Sequence, residues 1–179
     1  MADRRVAFLR GLNVGGHRVK MTRLKSIFEA EGLAGVATYI ASGNVVFDDD
    51  GRAPEALEEL LEDALQRALG YEVKTFLRTI ARVRAVGSPP WLADVAADGF
   101  KVHAMFLKEA PDDAMRAGLA EIGGPDDVFR ADGRVVYWLR RGGLSESTIK
   151  AHHLKRALQG RPNTVRNLNT VAKIAAKFS

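Results

Sequence analysis

The residues best placed to bind a ligand stand in a glycine-rich loop near the start of the chain. An apolar stretch, Val6–Leu9, runs into Arg10, and the loop that follows contains Gly11, Asn13, Gly15, Gly16, His17, Arg18 and Lys20. A helix is predicted to begin near Thr22, which we expect to act as its cap. Loops of this kind, between a strand and a helix, present backbone N–H groups to anions. The pattern therefore predicts an anion-binding loop.

The same loop resembles a nucleotide phosphate loop only in part. Gly11 and Gly16 have the G-x-x-x-x-G spacing, but Lys and Ser or Thr should follow, and His17 and Arg18 stand there instead. No hydroxyl is available beside Gly16 to hold Mg²⁺, so a nucleoside triphosphatase is not favoured. The glycines have a second interpretation without any ligand, because Gly15 and Gly16 can supply the positive φ angles of a long turn.

Arginine and asparagine residues extend the candidate site beyond the loop. Arg10 and Arg166 both stand next to predicted helix starts, where a guanidinium can hold a phosphate or carboxylate with two hydrogen bonds. Each could equally pair with an acidic residue from the middle of the chain. The asparagines have the same two interpretations, since this residue type is common in turns and at helix caps; they are Asn13, Asn44, Asn167 and Asn169.

Metal, nucleophilic and cofactor chemistry are not predicted. The chain has no cysteine, and its histidines (His17, His103, His152 and His153) form no cluster with the spacing of metal ligands. His152 and His153 are adjacent in a predicted helix and are expected to point in different directions. A Gly-x-Ser-x-Gly nucleophile motif is absent, and Ser42 has no identifiable base. We therefore expect no metal and no cofactor.

Nucleic-acid binding remains an alternative with weaker sequence support. RNA-recognition domains stack bases on aromatic residues of the first and third strands of their sheet. In this chain Phe8 and Phe47 occupy such positions in the first half, but the flanking basic-glycine-aromatic signature is missing. Tyr137 and Trp138 in the second half alternate between sheet faces, so at most one of them is expected to stack on a base.

Charge is distributed very unevenly along the 179 residues, whose net charge is +5. Residues 1–25 contain seven Lys/Arg and one acidic residue, whereas residues 134–179 contain ten Lys/Arg and one acidic residue. The middle is acidic. Basic ends are expected to attract anionic partners if the fold brings them together, although they can also be solvated helix faces. The sequence shows no membrane-length apolar run and no signal peptide, so we expect a cytoplasmic protein without a membrane partner.

Hydrophobic periodicity and turn residues predict the same order of elements in both halves. The first half reads strand Arg5–Arg10, a helix ending at Gly32, strands Val36–Ala41 and Val45–Asp48 joined by Ser42-Gly43-Asn44, a helix from Pro54 to Gly70, and strand Glu72–Arg78. In that second helix Glu55, Glu58, Glu59 and Glu62 are expected to form a solvated face opposite the leucines.

The second half follows a connector that contains Ser88-Pro89-Pro90-Trp91. It reads strand Lys101–Lys108, a helix from Pro111 to Gly123, strands Val128–Ala131 and Arg134–Arg140 around Asp132-Gly133, a helix ending at Gly160, strand Thr164–Arg166 and helix Leu168–Phe178. The halves share no convincing residue identity. Their shared order nevertheless predicts two split β-α-β units of the ferredoxin-like type.

Three segments carry a resemblance to a known bacterial family. They are Leu9–Gly16 with Val19–Met21, then Tyr39–Phe47, and finally Thr164–Val171. Together they are similar to the signature segments of the family catalogued as domain of unknown function 1697. In the last segment Leu168 replaces the aromatic residue that the family usually has there. The resemblance implies a two-part α/β-plait architecture and no established catalytic residue.

The sequence thus predicts an α+β protein of two ferredoxin-like units with antiparallel sheets and an extra C-terminal helix. The units are expected at 1–78 and 101–179, with residues 79–100 as connector. The expected function is binding of a small anion or a phosphate-bearing partner; an enzyme acting on a phosphorylated or acylated small molecule and a nucleic-acid-binding module are the alternatives. The three segments are expected to meet, and the predicted anion-binding residues are Arg10, Asn13, Gly15, Gly16, Lys20, Ser42, Gly43, Asn44, Arg166, Asn167, Asn169 and Thr170.

Overall fold

The computed structural model describes residues 3–40 and 43–179, so the predicted positions Ala41 and Ser42 lie outside the described residues. The chain forms two compact units, one of Met1–Arg84 with Ile174–Ser179 and the other of Ala85–Lys173. Each unit contains one four-stranded sheet. The division of the chain into separate domains at 1–78 and 101–179 stays a prediction.

The first unit has the predicted order of elements. It consists of β1 (Arg4–Arg10), α1 (Met21–Ala30), β2 (Ala37–Thr38), β3 (Asn44–Asp48), α2 (Pro54–Leu69) and β4 (Lys74–Thr79). The strands lie in the order β2-β3-β1-β4 and every pairing is antiparallel. This places the first and third strands side by side at the centre of the sheet, which confirms the ferredoxin-like prediction for this half.

The second unit repeats the arrangement after two connecting helices. The elements that follow β4 are α3 (Ile80–Gly87), α4 (Leu92–Ala97), β5 (Phe100–Leu107), α5 (Asp113–Ile122), β6 (Asp127–Asp132), β7 (Val135–Arg141), α6 (Ala151–Ala157), β8 (Asn163–Asn167) and α7 (Leu168–Phe178). The first residues of α3, 80–84, and the last of α7, 174–178, belong to the first unit. The sheet order is β6-β7-β5-β8, again antiparallel. Asp132 pairs with Val135, so the hairpin is present but its two-residue turn is Gly133-Arg134, one residue later than predicted; Gly133 has a φ of 56°.

Two local predictions for the first unit were wrong. Thr22 is not the cap of α1, because the helix already begins at Met21 and its N-cap is Lys20, which makes no side-chain capping bond. The strand predicted from Val36 to Ala41 is reduced to the two residues of β2. Ile40 has a φ of 48°, which a strand cannot accommodate and which a β-branched residue rarely adopts.

The aromatic residues proposed for base stacking are buried in both sheets. Phe8 and Phe47 are fully buried, and Tyr137 and Trp138 are no more than 5% exposed. Phe47 belongs to the core under α1 and α2, and Trp138 belongs to the core of the second unit. The expectation that one of these rings could stack on a base is therefore wrong, since none of the four presents a face to solvent.

The acidic face of α2 is not simply solvated, which corrects the sequence prediction for Glu58 and Glu62. Glu58 is buried, and its Oε1 accepts a hydrogen bond of 2.8 Å from the backbone N–H of Leu77. Glu62 Oε1 accepts one of 2.9 Å from the N–H of Thr75. Both N–H groups belong to β4, an edge strand, so the two carboxylates cover donors that could otherwise pair with another chain.

Substitution of Glu58 by Ala is expected to lower the free energy of unfolding by about 1–3 kcal/mol, because the buried N–H of Leu77 loses its acceptor. Glu59, the exposed neighbour on the same helix, is the matched control, and Glu59→Ala is expected to stay within about 0.5 kcal/mol of the parent. Urea denaturation followed by circular dichroism measures both. Equal effects at the two positions would show that the carboxylate of Glu58 does not stabilise β4.

The edge strands of the two units carry a buried arginine at matching places. Arg78 in β4 donates from Nη1 to the carbonyl of Leu77 at 2.7 Å, and Arg166 in β8 donates from Nη1 to the carbonyl of Val165 at 3.0 Å. Both arginine residues are buried, and each strand runs directly into a helix that begins two residues after the arginine. The halves therefore share a structural repeat that their residue identities do not show.

Candidate functional site

The glycine-rich loop between β1 and α1 is closed by its own hydrogen bonds. The N–H of His17 donates to the carbonyl of Val14 at 3.0 Å, and the two residues between them, Gly15 and Gly16, have φ angles of 60° and 84°. Two consecutive positive φ angles are typical of a type I′ turn, which glycine adopts without steric cost. The loop thus needs these glycines for its conformation, whether or not it binds a ligand.

Side chains from inside and outside the loop hold this turn in place. Asn13 Oδ1 accepts a hydrogen bond of 3.0 Å from the N–H of Val19 across the loop. Tyr71 donates from its hydroxyl to the carbonyl of Leu12 at 2.6 Å. Its ring also stacks on that of His17, with centroids 4.0 Å apart and planes 21° apart. Burial raises the pKa of Tyr71, with Arg23 acting in the opposite direction, so its hydroxyl remains a donor at neutral pH.

The loop encloses a concavity beside the start of α1. The concavity has a volume of about 420 Å³ and is lined by Asn13, Gly16, His17, Arg18 and Val19. Among the described residues its lining therefore has cationic and amide groups and no carboxylate. The first turn of α1 also contains no acidic residue. Because the first N–H groups of a helix lack intrahelical acceptors, this end of α1 favours negative charge.

The second signature segment lies against the first within the same unit. Gly43 accepts a 2.8 Å hydrogen bond from the N–H of Leu9, and a Cβ at Gly43 would approach Leu9 Cβ to 3.1 Å. Asn44 pairs with Phe8 in the sheet, and its Nδ2 donates to the carbonyl of Tyr39. The side chain of Asn44 is fully buried, so its amide closes the hairpin rather than facing solvent.

Arg10 and Lys20 remain at the exposed margins of the loop. Arg10 is the last residue of β1 and stands opposite Lys74 in the register with β4. Lys20 immediately precedes α1 with an extended backbone, φ −65° and ψ 139°. Within the described residues no carboxylate pairs with Lys20 or with Arg18. Lys20 and Arg18 are therefore available to an anion from solution.

The third signature segment belongs to the second unit, and its residues have local roles there. Arg166 is buried and donates to Thr164 Oγ1 at 2.8 Å in addition to Val165; burial lowers the pKa of its guanidinium to about 10. Asn167 Oδ1 accepts from the N–H of Asn169 at 2.9 Å, which caps the start of α7. Participation of Arg166, Asn167, Asn169 and Thr170 in anion binding stays a prediction.

The structure adds three residues that the predicted site lacked. His17 and Arg18 line the concavity. Tyr71, which follows the C-terminal end of α2, stacks its ring on that of His17. His17 and Arg18 directly follow the Gly-Gly pair, so their position in the loop was a usable signal. Nothing in the sequence pattern links Tyr71 to the loop, because about 55 residues separate it from the ring on which it stacks.

The remaining side chains do not form a metal centre within the described residues. No group of three or more His, Asp or Glu residues in 3–40 and 43–179 is arranged to hold a metal ion. The expectation that His152 and His153 point in different directions was wrong, since their ring centroids are 4.0 Å apart. Among the helices that the structure describes, none has the length and apolar character needed to cross a membrane.

His103 is a buried histidine in the central strand of the second unit. It is 8% exposed, and its Nδ1 has no hydrogen-bond partner among the described residues. Burial lowers the pKa of His103, the nearby positive charge of Lys101 lowers it further, and a hydrogen bond to the backbone of Trp138 opposes both. The folded protein therefore favours the neutral imidazole more than the unfolded chain does.

This difference predicts that the second unit loses stability in mild acid. Well above pH 6.5, the ordinary pKa of histidine, the imidazole is neutral in both states. As the pH falls below that value the unfolded chain binds the proton first, so stability is lost progressively until the pH reaches the lowered pKa of the folded protein. Compared with the parent, His103→Leu is expected to show a smaller change in the urea midpoint between pH 7 and pH 5. The exposed His152→Gln is the control. Parallel pH profiles for parent and His103→Leu would contradict the prediction.

Comparison with known proteins identifies a family without a described activity. The family model described as "Protein of unknown function (DUF1697)" matches residues 2–137. No curated protein matches the chain. Among solved structures, the conserved bacterial protein SP0830 from Streptococcus pneumoniae is similar, with 25% sequence identity, a TM-score of 0.76 and complete coverage of both chains. The resemblance noted in the sequence is thereby confirmed: the chain belongs to the DUF1697 family.

Proposed function

We propose that this protein binds a small anion or a phosphate-bearing partner through the loop between β1 and α1. The observation that carries the proposal is the concavity of about 420 Å³, which is lined by His17 and Arg18 and has no carboxylate among its lining residues in 3–40 and 43–179. A volume of this size is within the range of small-molecule sites. The absence of cysteine fits a reducing compartment, and we place the protein in the cytoplasm as part of the same proposal.

The chemistry of the loop favours an oxyanion over a neutral ligand. The uncapped first turn of α1 supplies backbone donors, since Lys20 makes no side-chain capping bond and no acidic residue follows. Arg18 and Lys20 add positive charge beside these donors. A phosphate group accepts hydrogen bonds on several oxygens at once, so it can engage backbone N–H groups and a guanidinium together.

The proposal is tested by following backbone amide signals in solution while inorganic phosphate is added at constant ionic strength. We expect saturable shifts at Gly16, His17, Thr22 and Arg23, and no comparable shift in β6 or α5. Sodium chloride titrated to the same ionic strength is the control. Absence of saturable shifts in residues 11–24, or shifts equal to those with chloride, would overturn the proposal.

A further inference from the structure

Helix α6 of the second unit presents a dense positive surface that is separate from the loop. The residues that form this α6 surface are Lys150, His152, His153, Lys155 and Arg156. All but His153, which is half-buried, are exposed. Five cationic or titratable side chains therefore stand within seven consecutive positions, without an acidic residue among them.

The nearest acidic residue in sequence does not neutralise this surface. Glu146 is the one acid between residues 134 and 179, and its Oε2 accepts a 3.0 Å hydrogen bond from the N–H of Gly143. Lys150 Nζ donates to the carbonyl of Ser147, which leaves its charge uncompensated. Within the described part of the chain, no carboxylate pairs with Lys150, Lys155 or Arg156.

Other cations of the second unit differ in this respect. Arg161 lies 3.1 Å from a carboxylate oxygen of Glu109 and 3.3 Å from one of Asp112. Arg140 is paired with Asp127 at 2.8 Å. The α6 surface thus retains its charge, whereas Arg140 and Arg161 are matched by carboxylates.

The geometry of the two histidines shows how closely the positive groups are packed. The His152 and His153 rings lie 4.0 Å apart, and His153 Nδ1 accepts a 3.0 Å hydrogen bond from the N–H of Lys150. Desolvation lowers the pKa of His153, and the positive charges of His152, Arg156 and Lys150 lower it further. The positive charges therefore repel one another at this surface, and a bound polyanion would offset that repulsion.

The form of the surface favours a nucleic acid over an acidic protein as the partner. A helix of seven residues is about 10 Å long, and one strand of duplex DNA presents a phosphate about every 3.4 Å along its axis. Protein interfaces usually add an apolar core. The exposed large hydrophobic residues among those described are Val14, Ile40 and Leu144, none of which belongs to α6.

We propose that the α6 surface binds the phosphate backbone of a nucleic acid without reading its base sequence. Binding is expected to be independent of sequence because contacts of Lys and Arg side chains to phosphate oxygens carry no information about the bases. The proposal does not depend on the loop between β1 and α1. It also differs from the sheet platform of RNA-recognition domains, whose aromatic positions are buried in this protein.

Fluorescence anisotropy with a labelled mixed-sequence DNA duplex of about 20 base pairs tests the proposal, using the full chain at several salt concentrations. Neutralising one phosphate contact reduces the slope of log K against log salt by about 0.9, which corresponds to about an eightfold loss of affinity at 0.1 M salt. We expect such a loss for Lys155→Gln and for Arg156→Gln. Lys25→Gln is the matched control, because Lys25 on α1 already lies 3.6 Å from Glu29.

Three results would overturn the proposal. The first is no binding of the duplex by the parent protein at about 0.05 M salt. The second is equal affinity of the α6 variants and Lys25→Gln. The third is complete displacement of the duplex by poly-glutamate at equal charge concentration, which would indicate an acidic protein as the partner. Thermal unfolding of each variant, expected to match the parent, verifies that the surface changes leave the fold intact.

Discussion

Replacing Asp127 by Ala is expected to lower the free energy of unfolding of the second unit by about 3–5 kcal/mol. The Asp127 carboxylate is buried and accepts from Trp138 Nε1 at 2.7 Å and from Arg140 Nη1 at 2.8 Å. The Ser147 hydroxyl donates to it at 3.2 Å. Loss of the Asp127 carboxylate leaves the buried Arg140 without a counter-charge and the Trp138 N–H without an acceptor. The free-energy cost of removing both groups from water is then uncompensated.

Asp126, the preceding residue, provides the matched control for this prediction. Its carboxylate lies 3.9 Å from Arg141 and both side chains are exposed, so Asp126→Ala is expected to cost less than about 1 kcal/mol. Urea unfolding followed by tryptophan emission reports the second unit, since Trp91 and Trp138 both belong to it. A loss at Asp127 no greater than at Asp126 would show that the carboxylate does not hold β6 and β7 together.

Loss of anion binding is the second large effect that we expect. Arg10→Ala and Lys20→Ala are each expected to weaken binding of inorganic phosphate by about 1.5–3 kcal/mol, roughly tenfold or more, because each removes a charge-assisted contact. Both residues are exposed, so the urea midpoint should remain near that of the parent. Isothermal titration at low salt measures the affinity, and binding should weaken as salt rises.

Two further variants make that experiment decisive. Lys25→Ala on α1 removes one positive charge outside the loop, and its phosphate affinity should equal that of the parent. Arg166→Ala tests the third signature segment in the same titration; weaker binding with an unchanged urea midpoint would support its role in the site. Unchanged affinity of Arg10→Ala and Lys20→Ala would remove these two residues from it.

Local sequence signals predicted most of the fold because they act over a few residues. Pro54 and Gly70 delimit α2 as expected, since proline suits a first helical turn and Gly70 adopts a φ of 83° at the end. Asp132-Gly133 predicts the hairpin between β6 and β7 to within one residue, since Asp132 still pairs with Val135 and the turn is Gly133-Arg134. Helix α7 runs from Leu168 to Phe178, as predicted from its apolar periodicity.

Long-range contacts explain what the sequence did not predict. Helical periodicity assigns Glu58 to the face opposite the leucines, but it contains no information that β4 passes beneath that face. Burial of Arg166 has the same origin, because a charged residue flanked by Val165 and Asn167 gives no sign of a buried sheet face. Thr22 shows a different difficulty: a good capping residue stands one position inside the helix.

Within the candidate site, the turn was predictable and its support was not. Gly15 and Gly16 predict positive φ angles from residue type alone, and both angles are positive. The stacking of His17 on Tyr71 joins two residues far apart in sequence, so no local pattern reports it. The sequence therefore indicated a loop without the cavity that its residues line.

The most direct test of the central claim is diffraction from crystals soaked in phosphate or sulfate. We expect anion density in the concavity lined by Gly16, His17 and Arg18, within hydrogen-bond distance of backbone N–H groups at the start of α1. Density there in the parent and its loss in crystals of Lys20→Ala would support anion binding by the loop. An empty concavity in well-ordered crystals, with phosphate bound elsewhere or nowhere, would contradict it.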